Sequence, residues 1–320
     1  MALILTFKHP PIDFRFPSEY DFEQIDDLTY KFVSKANKEP ITSIDERAFH
    51  RCTSLESIII PDSVNTICND AFCHCTSLES VVFGLSINTI GDRAFFNCKS
   101  LKSVVIPDSV KTIGNDVFNH CTSLKSVVFG LSINTISECA FAYCASLKSI
   151  VIPDSVKTIN NYAFHRCTSL ESIIIPDSVK TIGKSAFIIC TSLKSVVIGD
   201  SVKTISNRAF FNCPSLESVV IPDSVNTISD FAFSSCTSLE SVVIPDSVNT
   251  IGNKAFDGCT SLESIVIPDS VISIQKNVFI DCPSLKTVII NGQTTEYLKK
   301  YFETYYPKID LEFPDQYLLK

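Results

Sequence analysis

LKSVVIPDSVKTIGNDVFNHCTSL, residues 101–124, is one turn of a pattern that the chain repeats over most of its length. Cys121 belongs to the series Cys52, Cys75, Cys98, Cys121, Cys144, Cys167, Cys190, Cys213, Cys236, Cys259 and Cys282, whose members stand 23 residues apart. A phenylalanine lies three residues before each cysteine, from Phe49 to Phe279, and a leucine three residues after, from Leu55 to Leu285. No insertion disturbs the register. A fixed period in the twenties marks a solenoid, in which each unit is one supersecondary element that buries its apolar side only against its neighbours.

Inside the repeat the periodicity changes character. In Leu55-Glu56-Ser57-Ile58-Ile59-Ile60, alternation turns Leu55, Ile58 and Ile60 inward and Ser57 and Ile59 outward, and Pro61 stops the strand. Equivalent strands running the same way pair in parallel. The following Asp62-Ser63-Val64-Asn65-Thr66-Ile67 turns the chain and returns Val64 and Ile67 to the interior. Asn69-Asp70-Ala71-Phe72 then reads as about one helical turn, with Phe72 filling the core. The expected fold is an α/β, right-handed solenoid with one continuous parallel sheet and short helical turns, in about 11 repeats of 23 residues.

The run L-x-S-[VI]-x-[IF]-P-D-S-V-x-T-I-x-x-x-A-F-x-x-C-x-S-L, as in Leu101 to Leu124, resembles the BspA-like, or Treponema pallidum type, leucine-rich repeats over residues 41–290. The resemblance implies a leucine-rich-repeat solenoid engaged in protein binding or adhesion, without catalysis or a cofactor. Relatives of this kind occur on bacterial and protist surfaces and in large DNA viruses.

A solenoid exposes two strand edges, which recruit other chains unless they are covered. Residues 1–40, with Leu3, Ile4, Leu5 and Phe7 and the acidic stretch Glu19 to Asp27, are expected to form an N-terminal cap. Residues 291–320 are expected to form the C-terminal cap. There Tyr297, Leu298, Tyr301, Phe302 and Tyr305 follow helical spacing, and Ile309, Leu311 and Phe313 alternate as a short strand does.

The 320-residue chain is 45% apolar and carries a formal net charge of −8 with no basic run, which disfavours a nucleic-acid partner. No apolar run approaches the ~20 residues of a membrane span. Met1–Pro11 lacks the basic leader and cleavage site of a secretory signal, and the C-terminal YLLK has no prenylation cysteine. Many thiols without pairing logic and no Asn-x-Ser/Thr acceptor favour a reducing, cytoplasmic compartment. The family resemblance points instead to a cell surface.

Candidate chemistry is sparse. The cysteine series reads as small apolar plugs in the core, with disulfides as an alternative. Cys68, Cys73 and Cys75, near His50 or His74, cluster in sequence at a C-x4-C-x-C spacing that is no zinc pattern, so no metal site is expected. A second series, Asp62, Asp108, Asp154, Asp177, Asp200, Asp223, Asp246 and Asp269, reads as Pro-Asp turns whose carboxylates bond their own backbone; a bound calcium ion is the alternative. His9, His50, His74, His120 and His165 fall in different repeats and form no nucleophile–base–orienter arrangement, so an enzyme is not expected.

The outward strand positions carry the binding expectation. Ser103, Ser126, Ser149 and Ser172 form a hydroxyl stripe, and Val105, Val128, Val151, Ile174, Val197, Val220, Val243 and Val266 form a β-branched apolar stripe beside it. Charge is segregated alongside, with Lys102, Lys125 and Lys148 in one stretch and Glu217, Glu240 and Glu263 in another. A protein partner is expected on this inner face, with self-association as the alternative. Between Phe and Cys the repeats diverge, and Phe96, Tyr143, Ile188 and Phe211 mark a second candidate surface.

Overall fold

Alternation within each repeat produces two parallel strands per coil. In Ser103–Val105 the middle residue is buried and its neighbours are exposed, and nine positions on Thr112–Ile113 forms a shorter strand whose isoleucine turns inward. The structure, a computed structural model, describes residues 3–8, 20–26, 28–34, 40–291 and 295–312. It divides into two units, Met1–Leu170 and Glu171–Lys320.

In the first unit, strands β1 (Leu3–Phe7), β2 (Tyr20–Gln24) and β3 (Thr29–Ser34) precede the coils. β1 runs antiparallel to β3 and to Leu55–Ile59, which in turn pairs in parallel with Ser80–Val82. Leu3, Leu5 and Phe7 are fully buried along this junction, so β1 covers the backbone edge of the first coil's strand. The short strands Ser43–Ile44, Thr66–Ile67, Thr89–Ile90 and Thr112–Ile113 form a second parallel sheet.

In the second unit the long strands Ser172–Ile175, Ser195–Ile198, Ser218–Val220, Ser241–Val243, Ser264–Pro268, Thr287–Asn291 and Asp310–Glu312 make one parallel sheet. Helix α1 (Thr295–Tyr305) lies where the apolar spacing predicts it, with Leu298 and Phe302 buried. Phe313, expected in the final strand, falls outside the described residues.

Two expectations require correction. The first is the single continuous sheet. In the first unit the ladder lapses between Ser80–Val82 and Ser103–Val105, and residues 149–151 form no strand after Ser126–Val128. Both lapses follow coils in which the inward residue before the turn is phenylalanine, Phe83 or Phe129, in place of isoleucine. Phe83 packs edge-on to Phe95 and Phe129 to Phe141, each at 5.7 Å, so an additional ring occupies the core beside the next strand. Overfilling a packed interior moves backbone. Those two coils also carry Gly84 and Gly130 in place of proline. Gly199 makes the same exchange after Ile198, however, and its strand keeps both neighbours, so glycine alone does not open the sheet; the two coils before the lapses share the bulkier Phe83 and Phe129 and, behind them, Ile87 and Ile133 in place of valine.

The second correction concerns the helical turn, which is absent from every coil. Ten of the eleven return segments instead hold two residues in the left-handed region, such as Arg47 (φ 58°) and Arg51 (φ 61°), or Asp70 (φ 54°) and His74 (φ 64°), and the last holds one, Asp281 (φ 52°). The reason lies in the hydrogen bonds. The N–H groups of Arg47, Phe49 and Arg51 donate to Asn69, Ala71 and Cys73 of the next coil, while those of Ala48, His50 and Cys52 close turns on residues three back. An α-helix directs all its N–H groups along its own axis and would leave the neighbouring carbonyls unsatisfied. Alternating right- and left-handed backbone serves both sets.

Two columns, of phenylalanine and of cysteine, run through the core among the buried leucines, isoleucines and valines. The phenylalanine rings stack face to face, 5.2 Å apart from Phe49 to Phe72 and 5.3 Å from Phe187 to Phe210, and Phe302 of α1 lies on Phe279 at 6.1 Å. The cysteines are buried as expected, yet they are more than plugs. Nine of the eleven thiols donate to the carbonyl of the phenylalanine one coil earlier, as Cys75 does to Phe49 (3.1 Å) and Cys213 to Phe187 (3.2 Å). A thiol there fills the volume of a small apolar residue and also satisfies a buried carbonyl. Burial raises the thiols of Cys98, Cys121, Cys144, Cys167 and Cys213, the last to about 12.

Candidate binding surface

The expected stripe residues stand on the exposed side of the strands. Val105 is 61% accessible, Val128 56% and Val151 81% in the first unit, and Ile174 is 67% and Val220 69% in the second. Val197 and Val243 are similarly exposed, whereas Val266 is half-buried where its strand pairs over five residues with Thr287–Asn291. Ser103, Ser126, Ser149 and Ser172 are exposed beside them, as are Lys102, Lys125, Lys148, Glu217, Glu240 and Glu263. Lys102 pairs with Glu79 of the preceding coil. Where the first unit's sheet opens after Phe129, a cleft of about 610 Å³ forms, lined by Val127, Val128, Phe129, Leu131, Val151 and Ile152 among others. This cleft was not legible in the outward stripe, because it arises from an inward residue.

Three members of the aspartate series behave differently from the expectation. Asp62, Asp108 and Asp177 do not bond their own backbone; each Oδ1 accepts the N–H of the corresponding residue one coil on, Leu85, Leu131 and Asp200. These are the three coils that follow a Pro-Asp turn with glycine in place of proline. The reason is proximity: a Cβ on Gly84 would lie 2.4 Å from the Pro61 carbonyl oxygen, and one on Gly130 2.3 Å from that of Pro107. Only glycine admits that approach.

On the return side, residues scattered in sequence meet. His50, His74, Phe96, His120, Tyr143 and His165 form a continuous aromatic column, with successive ring centroids 4.2–5.7 Å apart. The Arg93 guanidinium lies 5.0 Å over Phe96 and that of Arg166 5.6 Å over Tyr143. Desolvation holds all four histidines below their ordinary pKa, with nearby Arg51, Lys99 or Arg166 adding to it, so the rings favour the neutral form. Phe211, in the second unit, is half-buried at 6.4 Å from Phe231, and Ile188 is half-buried. His9 lies outside the described residues.

The sequence cluster Cys68, Cys73 and Cys75 does not assemble as such. Cys75 belongs to the core column, and Cys68 sits apart beside Asp45 and Glu46. Cys73 instead meets His50 and Asp70, the donor atoms of the three lying within 4.8 Å of one another. Burial, and then Asp70, push the Cys73 thiol up to about 11. The spacing of the return segments, read one period apart, is the signal that would have placed His50 beside Cys73.

Comparison with known proteins places this architecture. The BspA type leucine rich repeat region matches residues 42–171, 157–286 and 226–317, in 6 copies. No curated protein sequence matches the chain. Among solved structures, the pneumococcal vaccine antigen PcpA is 22% identical with a TM-score of 0.55, covering 92% of this chain and 87% of its own, a likeness of fold. A leucine-rich repeat protein from Bacteroides ovatus is 29% identical (TM-score 0.48; 92% of this chain, 90% of that one). The leucine-rich repeat protein of T. pallidum is 31% identical (TM-score 0.47; 57% of this chain, 83% of that one). Among the described residues no helix is long and apolar enough to cross a membrane. With the family match extending over most of the residues and the coil plan repeated in both units, the chain belongs to the BspA-type leucine-rich-repeat family.

Proposed function

We propose that the chain is a non-catalytic scaffold that binds a protein partner through the exposed Ser/Val face of its strands. Leucine-rich-repeat proteins are typically protein-binding scaffolds and generally not enzymes. The observation that carries the finer reading is the unbroken series of solvent-exposed β-branched side chains, Val82, Val105, Val128 and Val151 in the first unit alone. Contiguous apolar surface of this extent is costly to leave in water and marks an interaction site. The cleft beside Val128 and Val151 provides the concave, apolar pocket in which binding energy concentrates. Lys125 and Lys148 along the same face favour an acidic partner there, whereas Glu217, Glu240 and Glu263 favour a basic one on the second unit. β1, which covers the first strand edge, and α1 with the strand Asp310–Glu312 act in this reading as the caps.

The test is a variant carrying Val105→Asp, Val128→Asp and Val151→Asp. These side chains point to solvent, so the variant is expected to keep the wild-type circular dichroism and melting temperature while losing the proteins that wild type retains in affinity capture. Retention of the same proteins by the folded variant would refute the reading. Light scattering across a concentration series separates the alternative: a concentration-dependent dimer that the same substitutions dissolve would make a second copy of the chain the partner.

A further inference from the structure

Away from the strand face, one cluster unites three metal-ligand types. His50 and Cys73 each follow the core phenylalanine of their coil, Phe49 and Phe72, so the 23-residue period sets one beside the other. Asp70 stands two residues before Phe72. The three donor atoms lie within 4.8 Å of one another, and this is the one such group among the described residues. The equivalent positions in the next two coils hold Phe96 and Asn119, so the repeat does not impose the combination.

A second observation points to a ligand. His50 Nδ1 is buried and makes no hydrogen bond, a condition that native interiors avoid. The acceptors of the cluster already attract a cation: Arg93 Nε lies 3.4 Å from Asp70 Oδ1, Arg93 Nη2 lies 3.8 Å from Cys73 Sγ, and Arg47 Nε lies 3.9 Å from Asp70 Oδ2. Both arginines reach in from the surface, with side chains 45% and 65% accessible, and can swing back to it. One imidazole nitrogen, one thiolate and one carboxylate form a donor set suited to zinc and unsuited to magnesium or calcium, which take oxygen ligands.

We propose that His50, Asp70 and Cys73 bind a zinc-type transition-metal ion, with the fourth position left to water. Coordination replaces the thiol proton of Cys73, which passes to solvent, and the metal takes the place of the Arg93 guanidinium. The bound dication is balanced by one thiolate and one carboxylate. Side-chain movements of about 1 Å bring the donors to the usual Zn–S distance of about 2.3 Å and Zn–N distance of about 2.0 Å.

Cobalt(II) titration of the reduced full-length chain tests this by absorption. The expected result is one equivalent of bound cobalt, with a thiolate-to-cobalt charge-transfer band and the visible bands of a four-coordinate ion, all removed by added zinc. Cys73→Ser should abolish the charge-transfer band and His50→Gln should weaken binding at least tenfold, while Cys68→Ser leaves both unchanged. Arg93→Gln should bind more tightly because the competing guanidinium is gone. Circular dichroism without metal verifies that each variant folds, and His50→Gln carries the test if Cys73→Ser does not. Absence of the band in both wild type and Arg93→Gln, or its persistence in folded Cys73→Ser, overturns the site.

Discussion

In the unit Glu171–Lys320 the seven long strands form one uninterrupted parallel sheet, whereas in Met1–Leu170 the equivalent strands fall into two sheets and residues 149–151 join neither. The coil length, the phenylalanine column and the cysteine column are the same in both. Two inward exchanges occur in the first unit and not in the second, Phe83 and Phe129 for isoleucine and Ile87 and Ile133 for valine. The phenylalanine rings stand 5.2 Å apart from Phe49 to Phe72 and from Phe72 to Phe95, then 5.6 Å from Phe95 to Phe118 and from Phe118 to Phe141. In a repeat array each coil answers chiefly to its neighbours, so one oversized residue is felt at the next interface while the coils beyond stay in register. The more regular unit holds its ladder, and the less regular one gains a cleft in its exposed face.

Truncating the core column should give the largest effect. Phe210→Ala is expected to cost about 3–5 kcal/mol in urea unfolding, and Phe118→Ala a value at the lower end of that range, because its ring is already more loosely stacked. An equal or greater loss at Phe118 would show that the wider spacing is not looser packing. Removing the oversized ring should have a smaller, local effect. Phe129→Ile restores the residue found at the equivalent position of most coils and is expected to draw residues 149–151 back into the ladder, slowing their amide exchange about tenfold, or about 1.4 kcal/mol of local stability. Unchanged exchange there would shift the cause of the opening from Phe129 to another residue.

Acid should separate the units most gently. Every histidine lies before residue 170, and the four in the aromatic column have lowered pKa values in the folded chain. Below the ordinary value near 6.5 the unfolded chain therefore binds more protons than the folded one, and stability falls as pH drops through that value toward the folded ones. Hydrogen exchange between pH 8 and 5, corrected for intrinsic rates, should show the return segments of the first unit loosening while the second, without histidine, holds. His120→Gln and His165→Gln should reduce the difference. Equal responses in the two units would assign the acid sensitivity to carboxylates.

Much of this was legible in the residues. The 23-residue period, the inward Leu55, Ile58 and Ile60, the outward valines and the burial of the cysteines follow from periodicity and hydrophobicity, which act along the chain. The apolar helix Thr295–Tyr305 was legible for the same reason. The cleft was not, since Phe129 is as apolar as the isoleucine it replaces and only the volume available beside Phe141 makes it disruptive.

Winding into equal coils, and the choice of side chains each coil buries, follow from a spacing repeated without interruption along the chain. What one coil does to the next follows from their stacking in three dimensions. It put left-handed residues where a helical turn was expected, because alternate N–H groups must reach the neighbouring coil's carbonyls. It turned core cysteines such as Cys75 into donors to the phenylalanine carbonyls and Asp62, Asp108 and Asp177 into acceptors for backbone one coil on. It brought His50 to Cys73 and Asp70 across a full period. Each of these rests on a contact between residues at least 20 positions apart in the chain, and stacking distance, which no local pattern encodes, is what sets them.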